Sequence, residues 1–187
     1  MLSLVRFVEV TLAAPRERIA ELESFHAGMT GDTSLRFAPG EGEPFYHFAL
    51  LVPGDRFDAA HAWAEERFDL AGGVFDFENW DAQAVYFLDP AGNIVELIAH
   101  RGLEENGRRG EFAAEEIVGF SELGLVAPQG PLVRAFSSLG ISLWDGTLTE
   151  PAASRSSASA AARSSWRRPA AAGYRPTARR SRIPSTC

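Results

Sequence analysis

The sequence contains no lysine, and its single cysteine is the last residue, Cys187. The lack of thiols excludes an internal disulfide and a cysteine-built metal site, and it fits a reducing cytoplasm, the expected location. Long apolar runs are also missing, so no segment has the roughly eighteen apolar residues of a membrane-spanning helix. The opening stretch, MLSLVRFVEV, carries Arg6 and Glu9 among its apolar residues and lacks a small-residue cleavage pattern. It reads as a first strand rather than a secretory signal.

Charge of one sign is missing locally. All 25 acidic residues precede Pro151 together with ten of the 18 arginines, and eight arginines follow it with no acid. An acidic body has little affinity for nucleic acid or anionic lipid, so neither is expected as a partner. The 45% apolar and 11% aromatic content over 187 residues is enough for one domain or two half-domains with a real core.

Residues 2–12 are β-rich and alternate, with Val8, Val10 and Leu12 on one side and Phe7, Glu9 and Thr11 on the other. Pro15 breaks the strand and opens a helix, in which Ile19, Leu22, Phe25 and His26 share a face. A short strand over 34–38 and a Gly/Pro loop over 39–44 complete a degenerate first half-module, residues 1–44. The pattern repeats more fully over 45–100. A strand at 45–53 is followed by Asp55 as the expected N-cap of a helix over 56–68. Strands at 74–77 and 84–88 come next, then the turn Asp89-Pro90-Ala91-Gly92-Asn93 and a last strand at 94–99. A polar linker, 101–116, leads to the start of a further module over 117–149, with a strand near 117–127, a short helix at 131–139 and a strand at 141–144.

The segment 150–187 is Ala, Ser, Arg and Pro with almost no aliphatic residue, the composition of a disordered tail. Joining each codon's last base to the first two of the next lets residues 164–178 be re-read as LLVAPAGRRWLPTDR, an apolar strand and a turn. The expectation is that the natural gene continues the fold and that this chain carries a frame change near residue 150. Sequencing the source DNA decides it.

Two stretches carry a family resemblance: YHFALLVP, and VYFLDPAGNIVELIAH over residues 85–100. A strand opened by histidine, a helix, a D-P-x-G-N turn and an apolar-Glu-apolar strand together resemble the vicinal-oxygen-chelate superfamily. That group includes glyoxalases, extradiol ring-cleaving dioxygenases, fosfomycin-resistance transferases and bleomycin-binding proteins. The resemblance implies an α+β fold of repeated βαβββ modules forming curved mixed sheets. It also implies an open divalent-metal site (Fe, Mn, Zn or Ni) that holds neighbouring oxygens of a small substrate.

The positions that match the family's ligands are His47 on the first strand and Glu96 on the last. The first module has Phe7 where the second has His47, and phenylalanine cannot ligate a metal. Glu122, in the strand E-L-G-L-V-A, is the best third ligand. Phe48, Tyr86 and Phe7 are the candidate substrate-lining residues. Each site residue has a plainer reading: His47 as a sheet histidine bonded to a main-chain carbonyl, and Glu96 as a water-facing carboxylate. Trp63, Phe68 and Trp80 read as core, and His100 as solvent-exposed. The leading expectation is a metal-dependent lyase or dioxygenase, whose modules pair within the chain or across a homodimer. The alternative is a non-catalytic small-molecule binding protein that uses the same cavity to sequester drugs.

Overall fold

The computed structural model describes residues 6–124, together with Arg134 and Ser138. Residues 6–124 belong to one compact unit, which carries both sheets. Arg134 and Ser138 are both helical and fall inside the segment read as a short helix. The strand at 141–144 and the Arg/Ala/Ser tail lie outside the described residues.

The first half is one strand-helix-strand unit. Strand β1 (Glu9–Ala14) ends at Pro15, whose ring cannot donate to a ladder, and a 3₁₀ turn at Arg16–Arg18 leads into α1 (Ile19–His26). Strand β2 (Ser34–Pro39) then returns parallel to β1, with Glu9 opposite Ser34 and Ala14 opposite Pro39. The alternation read in the sequence is real here: Val10, Leu12 and Ala14 are buried, and the residues between them are not. The strand nevertheless begins later than the pattern predicts, since Val8 is 78% exposed.

The second half contains β3 (His47–Leu51), α2 (Phe57–Glu65), β4 (Phe75–Phe77), β5 (Ala82–Leu88) and β6 (Ile94–His100). Strand β7 (Gly119–Leu123) joins them, and the sheet order is β4-β5-β6-β3-β7. β3 and β6 run parallel, and the other neighbours are antiparallel. β1 and β2 therefore pair as β3 and β6 do, but no strands corresponding to β4 and β5 stand between them in the chain.

One face of the large sheet is the helix-covered core. Phe48, Leu50, Val52, Phe87 and Leu97 pack there with Leu22 of α1 and with Ala60 and Trp63 of α2. The Phe68 and Phe87 rings stack at 4.1 Å, and Trp63 and Phe68 are core as expected. Trp80 is not: it sits in a short 3₁₀ turn, 41% exposed, against Phe77.

The segment 101–116 is more than a polar link. Arg56, buried just before α2, donates to both carboxylate oxygens of Glu116 at 2.9 and 3.1 Å. It also donates to the carbonyls of Arg108, Gly110 and Glu111. Asp55, expected to cap α2, instead accepts the N–H groups of Asn106 and Gly107. The start of α2 holds the returning chain, rather than the local side chain holding the helix.

Candidate functional site

Side chains alternate across a strand, so His47 and Ala49 of β3 face away from the Phe48–Leu50 core. The same alternation on β6 turns Glu96 and Ile98 to that second face, and on β5 it turns Ala82, Ala84 and Tyr86 there. The pairing aligns them: Tyr86 stands opposite Glu96, Glu96 opposite Ala49, and Ala49 opposite Glu122. Ala49, Ala82, Ala84 and Ile98 form a small apolar floor, with Phe77 and Tyr86 packed against it.

Glu96 is 3% exposed, so the reading of a water-facing carboxylate does not hold. A buried carboxylate is costly unless partnered. The His47 Nε2–H meets this need, donating to Glu96 Oε2 at 2.9 Å, while the His47 side chain keeps 43% of its surface exposed. The partner of His47 is thus a carboxylate and not a main-chain carbonyl. Tyr86 belongs to the same group. Burial first, then the Glu96 charge and a hydrogen bond to it, raise the phenol well above its ordinary range and keep it protonated. Its ring lies 6.0 Å from that of His47 and 5.0 Å, edge-on, from that of Phe75.

Glu122 reaches this face through an irregularity. Phe120 is opposite Leu50 and Glu122 is opposite Ala49, so Ser121 is an extra, bulged residue. In a regular ladder Glu122 would share the core face of Phe120; the bulge moves it to the side of Glu96. Glu122 is an exposed residue overall. Partial burial of its carboxyl, with the Glu96 charge second, still raises its pKa, against the opposing influence of His100 and His47.

The other two candidate residues lie elsewhere. Phe48 is fully buried on the helix side and stacks on Phe120 at 5.0 Å. Phe7 precedes β1, packs edge-on to Phe120, and accepts the Thr33 hydroxyl at its carbonyl. Neither shares a face with His47. His100 ends β6, half-buried, with its ring against the Trp80 carbonyl. Phe75 and Ala49 were not singled out by the sequence reading. The signal for Ala49 was parity, two residues after His47; Phe75 is placed only by tertiary pairing. A cavity of about 610 Å³ lies apart from this group, bordered by Arg6, Asp32, Glu104, Arg108 and Glu115, and no predicted site residue lines it.

Two ligands about 2.1 Å from one ion and at right angles stand about 3 Å apart. His47 Nε2 and Glu96 Oε2 have that separation, so the pair suits two adjacent coordination positions once the ring proton moves from Nε2 to Nδ1. Among the described residues, no group of three or more His, Cys, Asp or Glu is arranged to hold an ion, so Glu122 does not complete the set here.

Fold and site define an α+β protein with a polar His-Glu-Tyr centre on the second face of a mixed sheet. No protein-family model and no curated protein matches the chain. Among solved structures it is similar to oxidase ChaP-H1, at 21% identity over 52% of this chain and 97% of that one, TM-score 0.40. It is similar also to lactoylglutathione lyase from Agrobacterium tumefaciens, at 16% identity over 53% and 95%, TM-score 0.39. A glyoxalase/bleomycin resistance protein/dioxygenase from Nocardioides matches at 17% identity over 59% and 93%, TM-score 0.37. Among the described residues no helix is long and apolar enough to cross a membrane.

Proposed function

We propose that the second face of the large sheet, which carries His47 and Glu96, is a small-molecule site of the glyoxalase or extradiol-dioxygenase kind, with these two residues as protein ligands of a divalent metal. The observation that carries the reading is the 2.9 Å approach of His47 Nε2 to the buried Glu96 Oε2, the spacing of neighbouring ligands. A metal held there supplies Lewis acidity toward two adjacent oxygens of a substrate. The chain's own contribution is the placing of the pair, the Tyr86 hydroxyl as a retained proton donor beside Glu96, and an apolar floor that limits water. Glu122 is the reserve carboxylate on the same face.

The test is metal content. Protein purified without chelator and loaded with Mn, Fe, Zn or Ni is expected to retain one ion, and His47→Ala or Glu96→Ala to lose it. Retention of no ion by the unaltered chain removes the enzyme reading.

A second reading has its own observation. Phe75, Tyr86 and His47 form a continuous series of rings along the same face. A metal-free sheet face of this kind binds flat aromatic molecules by stacking, with Glu96 and Glu122 for a cationic group. Thermal stabilisation of the metal-free protein by aromatic amines, lost in Phe75→Ala, supports that reading.

A further inference from the structure

The Asp89–Asn93 turn makes more hydrogen bonds than a turn needs. Asp89 Oδ1 accepts the Ala91 and Asn93 N–H groups at 2.9 Å, which closes the turn by itself. Asp89 Oδ2 then accepts the Asn93 Nδ2–H at 2.8 Å and the His26 Nε2–H at 3.2 Å, all in the interior. The Asn93 side chain is thereby fixed so that its Oδ1 accepts the Tyr46 N–H at 3.0 Å, just before β3.

Tyr46 immediately precedes His47. Its carbonyl accepts the Ile94 N–H at 2.9 Å, and Ile94 is the register partner of His47 and lies two residues before Glu96. The turn therefore fixes both backbone groups of Tyr46, its N–H through the Asn93 side chain and its carbonyl through the first residue of β6. Both members of the His47–Glu96 pair are set from this one place.

His26 supports the same conclusion. Its ring stands among Phe25, Phe37 and Phe48, and its Nδ1 is buried with no partner among the described residues. A phenyl ring would fill that space without stranding a nitrogen. The imidazole has one polar contact to justify it, the Nε2–H to Asp89.

We propose that Asp89, Asn93 and His26 form a brace that positions His47 against Glu96, with Asn93 as the positioning residue that acts through the Tyr46 N–H. Its functional meaning rests on the reading of that pair as the site; its geometry does not require a metal.

The test is NMR of the full, metal-free chain, in which the hydrogen-bonded ring N–H of His47 is identified by its loss in His47→Gln. In Asn93→Ala the Tyr46 amide is expected to exchange at least tenfold faster, and the His47 ring signal to shift or vanish. The Val85 and Leu97 amides, in the middle of β5 and β6, are expected to keep their protection. A ring signal unchanged in Asn93→Ala overturns the brace, whatever happens to the Tyr46 amide. Should Asn93→Ala fail to fold, His26→Phe removes one donor from Asp89 while keeping a ring in the core. It is expected to shift the same ring signal, and an unchanged signal there overturns the brace equally. If the unaltered chain retains no metal but the ring signal responds, the brace stands and the metal reading falls. The reverse pattern sinks the brace alone.

Discussion

His47 and Glu96 occupy neighbouring parallel strands but are not register partners: His47 lies opposite Ile94, and Glu96 lies opposite Ala49. The imidazole reaches diagonally across the ladder to the carboxylate, over a residue no larger than a methyl group. Ala49 is fully buried, so any larger side chain there competes for the same space. Ala49→Leu is expected to separate the pair and cost about 1–3 kcal/mol from overpacking. Chemical denaturation gives the stability, and the His47 ring signal gives the separation. A stable variant with an unchanged ring signal contradicts this account of Ala49.

Arg56 and Glu116 form a buried, two-pronged ion pair. Arg56→Met leaves the carboxylate of Glu116 in the interior and frees three carbonyls of the returning chain. The expected loss is about 3–5 kcal/mol. Glu116→Gln, which keeps an oxygen to accept from Arg56, is expected to lose less. Equal losses in urea denaturation count against the ion pair as the cause.

Glu116 and Glu122 shift in opposite directions, so their pH signatures differ in sign. The hydrogen bonds from Arg56 outweigh burial and lower the Glu116 pKa. Its stabilising contribution is complete above the ordinary glutamate value of 4.5 and fades as pH falls through the lower folded value. Glu116→Gln should therefore flatten the acid side of the stability profile. Glu122 is raised by burial and by Glu96, so it favours the folded state most when protonated, and that advantage is lost as pH rises through the folded value. Glu122→Gln is expected to raise stability at pH 7 and to change little at pH 4. Thermal melts across that range check both.

Deleting a residue from a strand normally turns every following side chain to the other face. Deletion of Ser121 is expected not to do so. It removes the bulged residue and leaves Glu122 opposite Ala49 and Phe120 opposite Leu50 in a regular ladder. In the deletion variant, Glu122→Gln should still raise stability at neutral pH. Loss of that effect would show that Glu122 had moved.

The sequence was most legible where chemistry is local. The D-P-A-G-N turn is written in residues that close turns on themselves, and His47 and Glu96 sit at strand positions counted from it. Parity alone also separates Phe48 from His47, because neighbours in a strand face opposite ways. Glu122 was nominated from the pattern of its strand, but the face it takes was not legible, because it depends on a bulge that only pairing with β3 reveals. Arg56 was hidden because a charged residue at a helix start reads as solvated. Only the folded chain brings Glu116 and three carbonyls around it. Phe7 and Trp80 were misplaced by pattern, since an aromatic residue looks the same whether it packs in a core or borders a turn.

The tether at Arg56 also bears on how the chain meets proteases. Arg101, Arg108 and Arg109 are exposed and stand in a segment without strand or helix, so by composition they are trypsin's preferred targets. Yet the Arg108 carbonyl belongs to the scissile bond, and it is held by a buried guanidinium. Cleavage after Arg108 then requires local opening of the Arg56–Glu116 lock, not mere exposure of an arginine. While the lock is closed, the chain that leads from Arg108 on to β7 and Glu122 is not cut at that bond.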